Sequence, residues 1–152
     1  MRLCELLNAL KADAGREEDL TPDADGIVRL EMDELSLAYK EQDDYPVPGH
    51  RALLMWGRFG TLPAENADAL LDEMLRANDR ADDPSGATVA MIGDDFYLQR
   101  TLSADLMDVE AGKQATEDFL RELSEWHGRV ANFRPDVSDG SAPLTADGFV
   151  NA

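Results

Sequence analysis

The chain has 152 residues, 43% of them hydrophobic, with 32 Asp and Glu against 14 Lys and Arg and a net charge of −18. That length fits one domain with ample apolar material for a core, which excludes wholesale disorder. So acidic a surface repels phosphate backbones and anionic membranes, so neither nucleic acid nor membrane insertion is expected, while a basic partner would be attracted.

The first element is an amphipathic helix over residues 2–14, with Leu3, Leu6, Leu7 and Leu10 on one side at helical spacing and Gly15 as its stop. It holds Glu5 and Lys11 and lacks the continuous apolar stretch of a secretory signal, which points to the cytosol. Cys4, the single cysteine, excludes an internal disulfide and reads as a half-buried thiol beside Leu3 and Leu7. Nine acids and two arginines crowd residues 13–34, where Pro22 and Asp25-Gly26 mark a loop and a turn. Two strands follow. Val28, Leu30 and Met32 alternate with Arg29 and Glu31, Asp33-Glu34 reverses the chain, and Leu35, Leu37 and Tyr39 resume the period of two. Residues 41–50, with Pro46, Pro48 and Gly49, read as a loop. The nearly continuous apolar run over residues 51–59 predicts a central strand covered on both faces. Even its densest part, Ala52-Leu53-Leu54-Met55-Trp56, is far too short to span a bilayer.

Gly60-Thr61-Leu62-Pro63 reads as a strand end and tight turn, with Gly60 in a conformation other residues resist and Pro63 in the first turn of a helix. Ala67, Leu70, Leu71, Met74 and Leu75 form the apolar stripe of that middle helix, which stops at Asn78. Residues 79–85 are polar and turn-like. Strands over 88–92 and 96–101 are joined by a hairpin at Gly93-Asp94-Asp95. Ser103 and Asp108 are candidate caps, and a long helix over 109–130 puts Phe119, Leu120, Leu123, Trp126 and Val130 on one side. Residues 1–133 form the expected domain, and the Ser-, Asp-, Gly- and Ala-rich segment 134–152 reads as a mobile tail. The order α-βββ-α-ββ-α predicts an α+β domain with an antiparallel sheet.

Chemistry-bearing motifs are scarce. In Asp23-Ala24-Asp25-Gly26, setting Gly26 at the invariant glycine of a calcium loop puts Met32 where the bidentate glutamate belongs, so a turn is expected. His50 and His127 are too few and too isolated for zinc. No Gly-x-Ser-x-Gly elbow, phosphate loop or dinucleotide fingerprint occurs, and Cys4 has no evident base. The side chains of Asp94-Asp95 would point apart on a hairpin turn. No catalytic residue, metal or cofactor is therefore assigned, although acids brought together only by the fold keep a small enzyme open as an alternative. Met55, Met74 and Met91 and the open edges of a small sheet favour an interaction surface instead. Periodicity alone leaves both core and partner groove open for the leucine stripes.

Six pieces of sequence then recur in a familiar order. They are Leu6-Leu7 with Leu10, Gly60-x-Leu62-Pro63, Leu70-Leu71-x-x-Met74-Leu75-x-Ala77-Asn78, Gly86-Ala87-Thr88-Val89-Ala90, Leu98-Gln99-Arg100-x-Leu102 with Leu106, and Phe119-Leu120 with Trp126. Over residues 1–131 this string resembles the class I type III secretion chaperones of the Tir-chaperone group. The resemblance implies a homodimer without enzymatic activity in the bacterial cytoplasm. It implies binding of the N-terminal segment of a secreted effector protein, held extended, soluble and export-competent, with the secretion apparatus as a further partner. It implies a dimer contact through the middle helix and fourth strand, at Leu71, Met74, Leu75, Asn78, Val89 and Met91. It also implies that the effector adds a strand at the sheet edge and lays apolar side chains near the first helix, at Leu3, Leu7, Leu10, Ile27, Val28 and Leu30. The proline-rich loop and the tail fall outside the pattern. The alternative is an acidic α+β interaction or regulatory domain that binds a folded partner.

Overall fold

A computed structural model of the protein describes residues 1–16, 20–32, 35–79 and 86–133. The elements run α1 (Leu3–Ala14), β1 (Ile27–Met32), β2 (Leu35–Asp43), β3 (Arg51–Thr61), α2 (Ala67–Asn78), β4 (Thr88–Ile92), β5 (Asp95–Ser103) and α3 (Val109–Ala131). All pairings are antiparallel in the order β1-β2-β3-β5-β4, so β1 and β4 are the two edges. This is the α+β architecture that the alternation predicts. The expected reversal at Asp33-Glu34, residues 80–85 of the polar turn and the tail 134–152 lie outside the described residues.

One face of the sheet is dry. Val28, Leu30, Leu37, Tyr39, Leu53, Met55, Phe96, Leu98 and Leu102 are buried there, and they form a single core with Leu6, Leu70, Met74, Phe119, Leu123 and Trp126 from the helices. Helix α3 lies over β3 and β5, α1 packs on α3 and β2, and α2 packs on β4. Strand β3 is central, as its apolar run predicts, but its other face is not sealed. Leu54 and Trp56 are half-buried there and Arg58 is exposed.

Two glycines in β3 let α3 approach closely. A Cβ on Gly57 would lie 2.6 Å from Leu123 Cδ2, and one on Gly60 would lie 2.7 Å from Val130 Cγ1. Gly60 has no left-handed φ, so its role is clearance rather than an unusual backbone angle. A bulge between Arg58 and Gly60 accompanies the burial of Phe59, whose ring centroid is 5.8 Å from that of Phe96 and 5.4 Å from that of Trp126.

Element ends differ from expectation where long-range pairing decides them. Strand β2 continues to Asp43 because Glu41, Gln42 and Asp43 pair with Leu53, Ala52 and Arg51, which leaves a loop of residues 44–50. Helix α2 starts at Ala67 behind Asn66, whose φ is 61°, so Pro63 precedes the helix instead of opening it. Asp108 caps α3 by accepting from the Ala111 N–H at 2.8 Å. Inside the core, the Thr116 hydroxyl donates to the Gly112 carbonyl at 2.9 Å. Its single proton is thereby used, so Tyr39 donates in the 2.6 Å Tyr39–Thr116 bond. Burial pushes the Tyr39 phenol far above its ordinary pKa.

Candidate functional site

Two apolar grooves flank α1. The first, about 450 Å³, is floored by Leu3, Leu7, Leu20 and Val28 and rimmed by Arg2, Lys11 and Glu41. The second, about 220 Å³, is floored by Leu10, Leu30, Leu37 and Leu120 and bordered by Lys11, Asp13, Arg16 and Glu117. Leu3, Leu7 and Val28 thus meet in one groove, and Leu10 and Leu30 in the other. Ile27 joins neither. It pairs with Lys40 while Val28 pairs with buried Tyr39, so Ile27 is on the opposite face of the sheet. Leu3, Leu7, Val28 and Leu30 are nearly inaccessible and serve as core and groove floor together, whereas Leu10 is half-buried. Cys4, expected half-buried, is exposed at the edge of the first groove.

Glu41 ties the start of α1 to the sheet. Its carboxylate accepts from Arg2 Nη1 at 2.6 Å and from the Leu3 N–H at 3.2 Å, and it lies 3.0 Å from Arg51 Nε. Burial alone would raise the Glu41 pKa, but the Arg2 and Leu3 bonds and the Arg2 and Arg51 charges outweigh it and hold the group below its ordinary value.

Both sheet edges are partly closed by side chains of the same chain. On β4, the Asn78 carboxamide donates to the Val89 carbonyl and accepts from the Val89 N–H, each at 2.7 Å. On β1, Asp23 accepts from the Ile27 N–H at 3.0 Å and its own N–H donates to the Ile27 carbonyl at 2.9 Å. Arg16 Nη2 donates to the Glu31 carbonyl at 2.9 Å. Asp23 also accepts from the Asp25 N–H and from Arg29, which is turn chemistry that uses up its carboxylate.

A third surface surrounds α2 and β4. Leu75 and Ile92 are each 69% exposed and Met91 47%. Leu71 and Val89 are half-buried, Met74 is buried, and Asn78 is exposed with its amide committed to β4. Of the three methionines expected at a surface, Met55 and Met74 are core and only Met91 is open. Sequence reasoning passed over Ile92, which a β-branched residue at the end of an edge strand could have flagged. It also passed over Arg16 and Glu41, whose roles depend on distant contacts. Among the described residues, no three His, Cys, Asp or Glu side chains converge as a metal would require, and no helix is long and apolar enough to cross a membrane. Asp95 pairs with Arg58 at 3.0 Å.

Residues 5–127 match the model of the Tir chaperone protein (CesT) family. Among curated proteins, none matches the chain in sequence. In solved structures the same fold occurs in the ExsC–ExsE complex, at 14% identity and TM-score 0.63 over 83% of this chain and 91% of that one. It occurs in the HopA1–SchA chaperone–effector complex, at 16% identity and TM-score 0.59 over 82% and 92% of the two chains. It also occurs in the ExoU–SpcU complex from the type III secretion system of Pseudomonas aeruginosa, at 18% identity and TM-score 0.59 over 82% and 97%.

Proposed function

Because the chain belongs to the Tir chaperone protein (CesT) family, we propose that it binds the N-terminal segment of a type III secreted effector in extended form and keeps it soluble and export-competent. It does so as a homodimer in the bacterial cytoplasm, by binding and without catalysis. The observation that carries this reading is the pair of apolar grooves on either side of α1, the second of them shared with Leu30 of the β1 edge strand. An extended chain can satisfy its backbone on the strand edge while alternate side chains enter the grooves.

The energetics suit that arrangement. Ordering a disordered segment costs about 2–5 kcal/mol of the gross interaction energy. Burying about 200 Å² of apolar area contributes about 5 kcal/mol and offsets it. The net charge of −18 speeds capture of a segment with basic flanks, an advantage that fades with salt. Leu75 and Met91, exposed on the adjoining α2 and β4, support a symmetric pairing in which each copy covers the other's apolar patch.

Affinity purification from secretion-competent cells tests the reading. The expected result is a co-purifying secreted protein whose N-terminal segment becomes protease-resistant in the complex, and whose recovery falls with Leu10→Asp. Recovery of no secreted protein would count against the proposal.

A further inference from the structure

We propose that Asn78 decides how two copies of this chain meet: it plugs the β4 edge at Val89, so that the copies associate through side chains of α2 and β4 and their two sheets do not zip into one. This rests on the reading that a homodimer forms at α2 and β4.

Asn78 is the last residue of α2. Its carboxamide holds both main-chain groups of Val89, each at 2.7 Å, as a neighbouring strand would. Residues of an antiparallel strand alternate between those whose N–H and carbonyl both face the partner strand and those whose groups both face away. Val89 therefore faces away from β5, and so does Met91, while Thr88, Ala90 and Ile92 face it. Within β4 these two residues are all that a second strand could bond. For two β4 edges related by a twofold axis, a single register forms more than one bonded pair. It sets Val89 of each copy against Met91 of the other. With Val89 occupied by Asn78, the one pair left is Met91 against Met91, too little to hold a strand in place.

This edge carries no other guard. Exposed edge strands are ordinarily protected by charge, proline or a bulge. Thr88-Val89-Ala90-Met91-Ile92 contains no charged residue and no proline. Its register with β5 is unbroken, and Met91 and Ile92 are exposed beside it. Protection comes instead from the end of α2. A carboxamide offers both an acceptor oxygen and an N–H donor, so it satisfies the N–H and the carbonyl of Val89 together, where an ionised aspartate would satisfy the N–H alone. The two modes of association exclude each other. Zipped strands would lie about 4.8 Å apart, whereas packing through Leu75 and Met91 holds the copies at a helix-packing distance of about 10 Å.

The test combines sedimentation velocity with nuclear magnetic resonance on an equal mixture of labelled and unlabelled full chain. The native dimer should show no contact between the Val89 and Met91 backbones of different copies. Asn78→Ala should show that contact. Its Val89 amide should exchange fast in dilute solution and slow as the protein is concentrated. Leu75→Arg alone should be monomeric at tens of micromolar. Adding Asn78→Ala to it should restore dimers, with Kd at least about tenfold lower, as four new main-chain bonds allow. Asn78→Ser, whose side chain is too short to reach both groups, repeats the measurement if Asn78→Ala does not fold. Backbone contact between copies of the native chain, or none in the folded Asn78 variants, overturns the plug and leaves the side-chain dimer standing. A native chain that is monomeric at tens of micromolar sinks the dimer reading. The plug then stands if Asn78→Ala associates through Val89 and Met91, and falls if it does not.

Discussion

Replacing Leu75 with arginine tests the proposed dimer most directly. Leu75 is 69% exposed in the protomer, whereas its stripe neighbour Met74 is 4% exposed. Complete burial of a leucine side chain is worth about 1.5–3 kcal/mol, so covering the exposed part of Leu75 contributes about 1–2 kcal/mol per protomer. A twofold interface contains the residue twice, for about 2–4 kcal/mol, and at about 1.4 kcal/mol per tenfold the dimer should weaken roughly 30- to 700-fold. The unpaired guanidinium adds a desolvation cost in the same direction. Sedimentation velocity over a concentration series should show a dimer for the native chain and a monomer with native far-UV circular dichroism for Leu75→Arg. Met74→Ala behaves differently. It removes a buried side chain and should cost about 2–5 kcal/mol of fold stability, lowering Tm whatever the association state. Intact dimers for both Leu75→Arg and Met91→Arg, or a native chain that is monomeric at tens of micromolar, would refute the assigned interface.

Asn78→Ala removes both 2.7 Å bonds to Val89. At this exposed edge it should cost about 1–2 kcal/mol and speed hydrogen exchange at the Val89 amide without changing exchange in β1. The folded Glu41 pKa lies below its ordinary value of 4.5, so its stabilisation is present above the unfolded pKa and is lost as pH falls through the folded one. Glu41→Gln should therefore lower stability near neutral pH and flatten the loss on acidification, as read by urea unfolding in neutral and acidic buffer. Gly60→Ala forces a Cβ to within 2.7 Å of Val130 Cγ1 and should cost about 1–3 kcal/mol. Val130→Ala should relieve much of that cost, and calorimetry of the double mutant measures the coupling.

Much of this fold can be read from local pattern. The period of two in Val28-x-Leu30 and Leu37-x-Tyr39 identifies the buried face, and Gly15 and Asp108 mark helix ends that the structure places within a residue of expectation. Local pattern fails where a residue's partner is distant. Glu41 and Gln42 look like loop, yet cross-strand pairing with Leu53 and Ala52 makes them strand. Gly60 looks like a turn residue, yet its reason is Val130, seventy positions on. Met74 and Leu75 sit in one apolar stripe, but a stripe wider than its contact leaves one edge uncovered, and only tertiary packing says which. The facing of Ile27 is legible in the strand's alternation. Consecutive residues of a strand face opposite ways, so Ile27 and Val28 could never line the same groove. The rims of the grooves were not legible, because the roles of Arg2, Arg16 and Glu41 lie in bonds that span 15 to 39 positions of sequence.

Sheet order sets a length requirement on the cargo. The grooves lie at the β1 edge and the proposed dimer contact at the β4 edge, the far side of the sheet. Strands spaced about 4.8 Å apart put about 19 Å between these edges. Two such sheets joined across a helix-packing distance of about 10 Å separate the two β1 edges by about 50 Å. An extended chain advances about 3.3 Å per residue, so about 15 residues must link the anchors if one cargo is to engage both protomers. A cargo region that bridges gains from effective concentration, by up to about 10²–10⁴-fold over a single anchor, and binds one per dimer. A fragment with one anchor binds two per dimer and loses that gain. Light scattering and titration calorimetry on progressively truncated cargo should show stoichiometry and affinity changing together near that linker length. A fragment well short of it that still binds one per dimer with undiminished affinity would show that the β1 edges lie close together, and pairing through α2 and β4 would be wrong.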